Sequence, residues 1–291
     1  MNAGFLARAV PAAFVLLWSS AFVVVRGALP DASPLYFLFL RFALAACLLG
    51  AFALVVAQDW SALRGRWHHF AIAGCLINGV YLACSYFAMT RISAGTMALI
   101  GSLHPLATAV LSGPLLGERF APGQWLGFAL GIAGVALVVG IETRDFLEAE
   151  AIAVAVAGVA ALVAGTLYYA RHCRDADLVP ANAVQMAAAA ILVGLAAFAF
   201  ETPRLAWTGG TVAALLYLTF AISLGGMALL LFMLKRGEAG RVSANFYLTP
   251  GTTAVMGWAA LGEVVGWTAG AGIALAMAGV WLVNRKPVTS S

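Results

Sequence analysis

Apolar residues fill this chain in ten long blocks with brief polar punctuation between them, near 7–25, 34–57, 68–89, 94–115, 122–140, 150–170, 180–200, 211–233, 240–261 and 265–283. A helix rises 1.5 Å per residue, so about 20 apolar residues carry it across a hydrocarbon layer about 30 Å thick. The connections are short, and most carry Pro, Gly or charge. None could hold a separate soluble domain. The pattern predicts an all-α integral membrane protein with ten transmembrane helices. The first block follows Arg8 as the core of a signal peptide would. No small-x-small cleavage site comes after it, so it is expected to remain as a helix.

Composition narrows the class. The 291 residues are 63% hydrophobic and 10% charged. Too few polar groups remain to cover an ordinary water-soluble surface, and too many apolar ones for disorder. Nucleic acid is excluded as a partner, because no basic stripe with interleaved aromatics occurs. Cys47, Cys75, Cys84 and Cys173 form no CxxC, and three lie inside apolar runs, so they read as small buried hydrophobes. No cofactor or metal is expected.

The net charge of +4 matters only through its placement. With the N-terminus inside, the inner segments hold eleven Lys or Arg, the outer loops hold four (Arg26, Arg91, Arg144 and Arg204), and Arg41 lies within a span. Cytoplasmic loops collect positive charge. The chain is therefore expected to be a multi-pass protein of a bacterial inner membrane with both termini cytoplasmic.

Sliding residues 87–139 by 145 positions onto 232–284 needs no gap and matches 20 of 53 positions. The matches include Arg91/Arg236, Pro105/Pro250, Thr108-Ala109-Val110/Thr253-Ala254-Val255, Leu116-Gly117-Glu118/Leu261-Gly262-Glu263 and Gly134-Val135/Gly279-Val280. Biased composition cannot easily place Pro, Arg, Glu and the Gly pattern in one register. The reading is two five-helix repeats, 1–145 and 146–291. Five is odd, so the second must thread the membrane in the opposite direction. Inverted repeats of this kind suit alternating access, with a solute site near the midplane.

Several motifs are similar to those of a known group. Trp18-Ser19-Ser20-Ala21-Phe22 resembles the first-helix pattern of the drug/metabolite transporter superfamily, EamA type, although Ser19 stands where many members have Gly. Leu40-Arg41-Phe42 resembles its second-helix pattern. Pro105…Leu116-Gly117-Glu118-Arg119…Gly134-Val135 and Pro250…Leu261-Gly262-Glu263…Gly279-Val280 resemble the ends of two EamA units. The resemblance covers nearly the whole chain, and within the superfamily it is strongest to the YddG-type amino-acid exporters. It implies ten helices, cytoplasmic termini and export of amino acids or related metabolites.

Candidate solute contacts follow from polar groups at depth. Pro105 and Pro250 fall in mid-span, where proline removes one donor and crowds the carbonyl four residues back. The carbonyls of Gly101 and Phe246 are thereby loosened, and each proline follows a polar residue, His104 or Thr249. Freed carbonyls at membrane depth need a protein partner, water or a ligand. Asn78, Tyr81 and Ser85 recur at helical spacing, as do Asn245, Thr249 and Thr252. Trp18, Ser19 and Tyr168 join them. Each also has a plain reading: helix kinks, and interhelical hydrogen bonds worth about 0.6 kcal/mol each. His104 is the candidate for proton coupling. Tyr36, Trp60, Trp67, Trp125, Trp207 and Trp267 near span ends read as interfacial anchors.

No Asp or Glu lies near the centre of any block, which argues against lipophilic cations as cargo. Glu118 and Glu263 read as fixing the turn into the next helix. Arg41, costly at depth by about 2.5–3.5 kcal/mol, has three suitable fates: snorkelling outward, pairing with helix-end carbonyls, or meeting a solute carboxylate. Gly127, Gly131 and Gly134 share one side of a span, with Gly266 and Gly270 near the start of the last; packing within the chain is their default use. Monomer and dimer both remain open.

The expected function is secondary export of neutral amino acids, aromatic or large apolar ones included. The partners are a small-molecule solute and membrane lipid. The alternatives are export of other metabolites or drugs, and a non-transporting membrane scaffold. An intramembrane enzyme would need HExxH, GxSxG or paired deep aspartates, and ATP-driven transport a P-loop; none occurs.

Overall fold

The computed structural model describes residues 3–116, 122–142, 145–173, 177–226, 229, 248–264 and 266–283. Asn245, Phe246 and Glu118 lie outside the described residues. Helices and short turns make up the described chain, with one isolated antiparallel bridge between Ala32 and Leu205.

The helices are α1 (Ala3–Ala28), α2 (Pro34–Val55), α3 (Trp67–Gly74), α4 (Tyr81–Ala88), α5 (Ala94–Gly101), α6 (Leu103–Leu116), α7 (Pro122–Glu142), α8 (Phe146–His172), α9 (Leu178–Phe200), α10 (Gly209–Leu216), α11 (Thr249–Leu261) and α12 (Trp267–Val283). A π-helical segment, Cys75–Val80, joins α3 to α4, and a second, Tyr217–Gly226, continues α10. Among the described residues six helical stretches are long and apolar enough to cross a membrane: Ala12–Asp31, Pro34–Val55, Trp67–Ala88, Phe146–His172, Leu178–Phe200 and Gly209–Gly226. Gly123–Val138 and Trp267–Leu282 are shorter apolar helices. Val55, Phe200, Val264 and Trp267 stand out from the surface. Apolar surface on this scale suits lipid.

Three block interiors depart from plain α-helix among the described residues, the eighth through its π segment Tyr217–Gly226. The fourth is interrupted at Ser102, whose N–H bonds the Ala98 and Leu99 carbonyls and whose hydroxyl donates to Leu99 O at 2.6 Å. Pro105, three residues on, has no N–H to continue the ladder. In the third, the π segment carries one extra residue in its turn. No Pro or paired Gly marks that spot.

The chain forms two compact units, each drawing on both halves of the sequence. Unit one comprises Met1–Val23, Ile92–Ile152 and Gly225–Ser291; unit two comprises Val24–Arg91 and Ala153–Leu224. These units and the halves 1–145 and 146–291 are different divisions of the chain.

In unit one α7 lies against α12 at backbone distance. A Cβ on Gly134 would sit 2.5 Å from Gly272 O and 2.6 Å from Ala276 N. A Cβ on Gly279 would sit 2.5 Å from Gly127 O and 2.8 Å from Gly131 Cα. Residue numbers fall on one helix as they rise on the other, so the pair is antiparallel. Where apolar groups face both neighbours and lipid, burial cannot drive association, and close packing of small residues does. The partners on α12 are Gly272 and Gly279; Gly270 faces open space.

In unit two α2 packs antiparallel on α9. The ring of Phe39 lies over Gly194, and Glu201 beyond the end of α9 accepts the N–H groups of Leu35 and Tyr36 at 3.0–3.1 Å. Further helices pair by the same device: Gly158 lies against Cys84 and Gly165 against Ile77, so α8 runs antiparallel to α3 and α4. Loop residues 31–33 bond to 204–206 at one end of the unit. At the other end Arg66 donates to the His172 carbonyl.

Candidate functional site

The candidate residues fall in both units. In unit one Ser19 is fully buried, and its hydroxyl donates to the Thr249 carbonyl at 3.4 Å. This contact spans 230 residues of chain and joins α1 to the start of α11. Pro250 is the second residue of α11 and Pro105 the third of α6. Both thus stand in a first turn, where a missing N–H costs little. Gly101 ends α5 and His104 is the second residue of α6, both half-buried. Trp18 and Thr252 are half-buried too, and the Trp18 ring packs 5.4 Å from that of Phe14.

Three buried hydroxyls of unit one, on Thr108, Thr249 and Thr253, have no hydrogen-bond partner among the described residues. An unmet buried hydroxyl costs about 1–3 kcal/mol, so such groups mark where water or a solute would bind. Thr108 and Thr253 are related by the 145-residue shift. Their pairing in the repeat was the signal that could have singled them out.

Unit two holds Asn78, Tyr81, Ser85 and Tyr168. Asn78 lies in the first π segment, and Asn78 and Tyr81 are half-buried. The Ser85 hydroxyl is buried and donates to the Tyr81 carbonyl at 2.8 Å, so its own helix uses it. Tyr168 sits apart from these three. Its hydroxyl is 2.6 Å from His69 Nδ1, and its ring stacks on His172 at 4.4 Å. His68 and His69 complete a ring cluster at the end of the unit where Arg66 meets His172.

Arg41 follows neither the snorkelling nor the helix-end fate. It is 6% exposed and donates to two hydroxyls: Nη1 to Tyr86 at 2.9 Å, and Nε and Nη2 to Ser223 at 3.3 and 3.2 Å. Tyr86 follows Ser85 directly, and Ser223 lies in the second π segment. Sequence reading passed over both.

Glu263 is used within the fold. Glu263 accepts the Ala94 N–H at 3.0 and 3.2 Å and so serves the N-terminus of α5, not only its own turn. Two glycines allow this: Gly262 takes a positive φ of 67° to end α11, and a side chain on Gly257 would strike the Glu263 carboxylate. A shallow cleft beside it is lined by Ser93, Thr96, Leu99, Val138, Ala254 and Ile273. Among the described residues no group of His, Cys, Asp or Glu could hold a metal.

Known proteins match this chain end to end. A probable terminal-alkyne amino-acid exporter of Streptantibioticus cattleyicolor is 27% identical over 94% of this chain and 91% of its own length. The uncharacterized transporter YvbV of Bacillus subtilis is 24% identical over 94% of this chain and 89% of its own. The uncharacterized inner membrane transporter YedA of Escherichia coli is 22% identical over 96% and 92%. A crystal structure of 20% identity shares the fold, with a TM-score of 0.66 over 95% of this chain and 96% of that one. The EamA-like transporter family matches twice, over residues 9–140 and again over 150–285, and the chain therefore belongs to that family of membrane transporters.

Proposed function

We propose that the protein is a secondary exporter of neutral amino acids, aromatic and large apolar ones included, working by alternating access in a bacterial inner membrane. The halves 1–145 and 146–291 act as inverted repeats, giving ten spans and two cytoplasmic termini. One observation carries this reading. The contact of Gly134 with Gly272, moved through the 145-residue shift and its reverse, becomes the contact of Gly279 with Gly127, and both occur. A pair of equivalent helices that meets itself in this way, running antiparallel, is what an in-plane two-fold axis produces.

Neutral polar groups support the cargo. The hydroxyls of Thr108, Thr249 and Thr253, without partners among the described residues of unit one, and Ser19 and His104 in the same unit offer donors and acceptors without fixed charge. Asn78 and Tyr81 do the same in unit two. A zwitterion brings both its own charges, so such groups suffice. The amino-acid exporter among the relatives favours this cargo over drugs.

Counterflow in proteoliposomes with a panel of labelled amino acids, at two pH values, tests the proposal. Accumulation of neutral amino acids is expected. Movement of drugs or unrelated metabolites alone would replace the cargo, and no movement of any solute would favour a scaffold. Exchange of Pro105 and Pro250 for Ala is expected to slow counterflow; an unchanged rate would leave the two prolines only a local role.

A further inference from the structure

Arg41 lies seven residues beyond Pro34, about 10 Å along α2. Its guanidinium is buried in unit two, and no carboxylate among the described residues pairs with it. The carboxylate bound to this helix, that of Glu201, is spent on the Leu35 and Tyr36 N–H groups. A buried cation ordinarily has an anionic partner.

The two groups that do meet it are placeholders in chemical terms. Ser223 and Tyr86 present hydroxyl oxygens where carboxylate oxygens would bind. Ser223 gives its own proton to the Leu218 carbonyl at 3.2 Å, so only its lone pairs face the cation. That bond reaches back five residues, the π register, in a segment type that recurs at functional sites. Tyr86 accepts from Nη1, and its hydroxyl proton has no acceptor among the described residues. Of five guanidinium N–H groups three are used. One remains on each terminal nitrogen, beyond those that the two hydroxyls hold.

The geometry points to Arg41, with Tyr86 and Ser223, as a carboxylate site that holds the α-carboxylate of the transported amino acid. This rests on the amino-acid export proposed above. Ser223 yields its place on the fork to the incoming carboxylate, and Tyr86 turns its hydroxyl proton toward the same group.

The test is counterflow of labelled phenylalanine, tryptophan and leucine by the full chain in proteoliposomes, with each decarboxylated amine as competitor. Wild type is expected to prefer the amino acid over its amine by at least about tenfold. Arg41→Gln should raise KM by about 10- to 100-fold and abolish the preference, Arg41→Lys should restore part of it, and Tyr86→Phe should raise KM several-fold. If wild type moves the amino acids but amines compete equally, the carboxylate site is overturned and the exporter stands; this arm needs no variant to fold. A folded Arg41→Gln protein that keeps the preference overturns the site equally. If wild type moves none of the three, the exporter reading fails and takes this site with it.

Discussion

Glu201 and Glu263 each hold the N-terminus of a helix far away in sequence, α2 and α5 respectively. The first turn of a helix leaves N–H groups unmet and carries partial positive charge, so a carboxylate there both bonds and neutralises. Glu201→Ala should cost about 1–2 kcal/mol, read as a lower unfolding temperature in detergent, with Glu201→Gln losing less. His104 stands one residue before Pro105 and is the candidate for proton coupling. If transport is proton-coupled through it, His104→Gln should bring the ratio of counterflow rates at two pH values close to one while the folded yield is unchanged. Cys173 is buried, and burial pushes its thiol up, against a weaker opposing pull from Arg66. At neutral pH it should stay unlabelled by maleimide while the protein is folded.

Helix pairing depends on positions without side chains. Gly134→Val would drive a branched side chain into the α12 backbone at Gly272 and Ala276. Overpacking of this kind costs about 1–3 kcal/mol, and thermal unfolding of the purified protein should show it. Gly270→Ala, on the open side of α12, should cost nothing measurable. The glycines of α7 were visible in sequence as one small-residue face. Their partners on α12 were not: Gly266 and Gly270 looked suitable, yet Gly272 and Gly279 make the contact. Spacing along one helix fixes a face but leaves its azimuth toward a neighbour undetermined.

Across the whole molecule the threading makes a directional prediction. Within unit two residues 31–33 meet 204–206, and Arg66 meets His172 at the opposite end. In the orientation proposed above, alternation of spans would put the first pair outside and the second inside. In a chain lacking Cys47, Cys75, Cys84 and Cys173, Arg204→Cys should react with an impermeant maleimide from outside intact cells. Gln58→Cys should react only after permeabilisation. Labelling of Gln58→Cys from outside would reverse the orientation.

Sequence alone marked the six long apolar helices found among the described residues, because a bilayer demands length and apolarity, and both are local properties of a chain. It also carried the 145-residue register, since Pro105, Gly134 and Thr108 each repeat at that spacing. The two π segments escaped it, because an i→i+5 turn needs no distinctive residue. So did the compact units, which depend on which apolar faces meet, and in lipid all such faces look alike. The partners of Arg41 lie 45 and 182 residues away, and those of Ser19 and Glu263 lie 230 and 169 away. Only the folded chain could decide them: a side chain's type states what it needs, and tertiary packing alone states who supplies it.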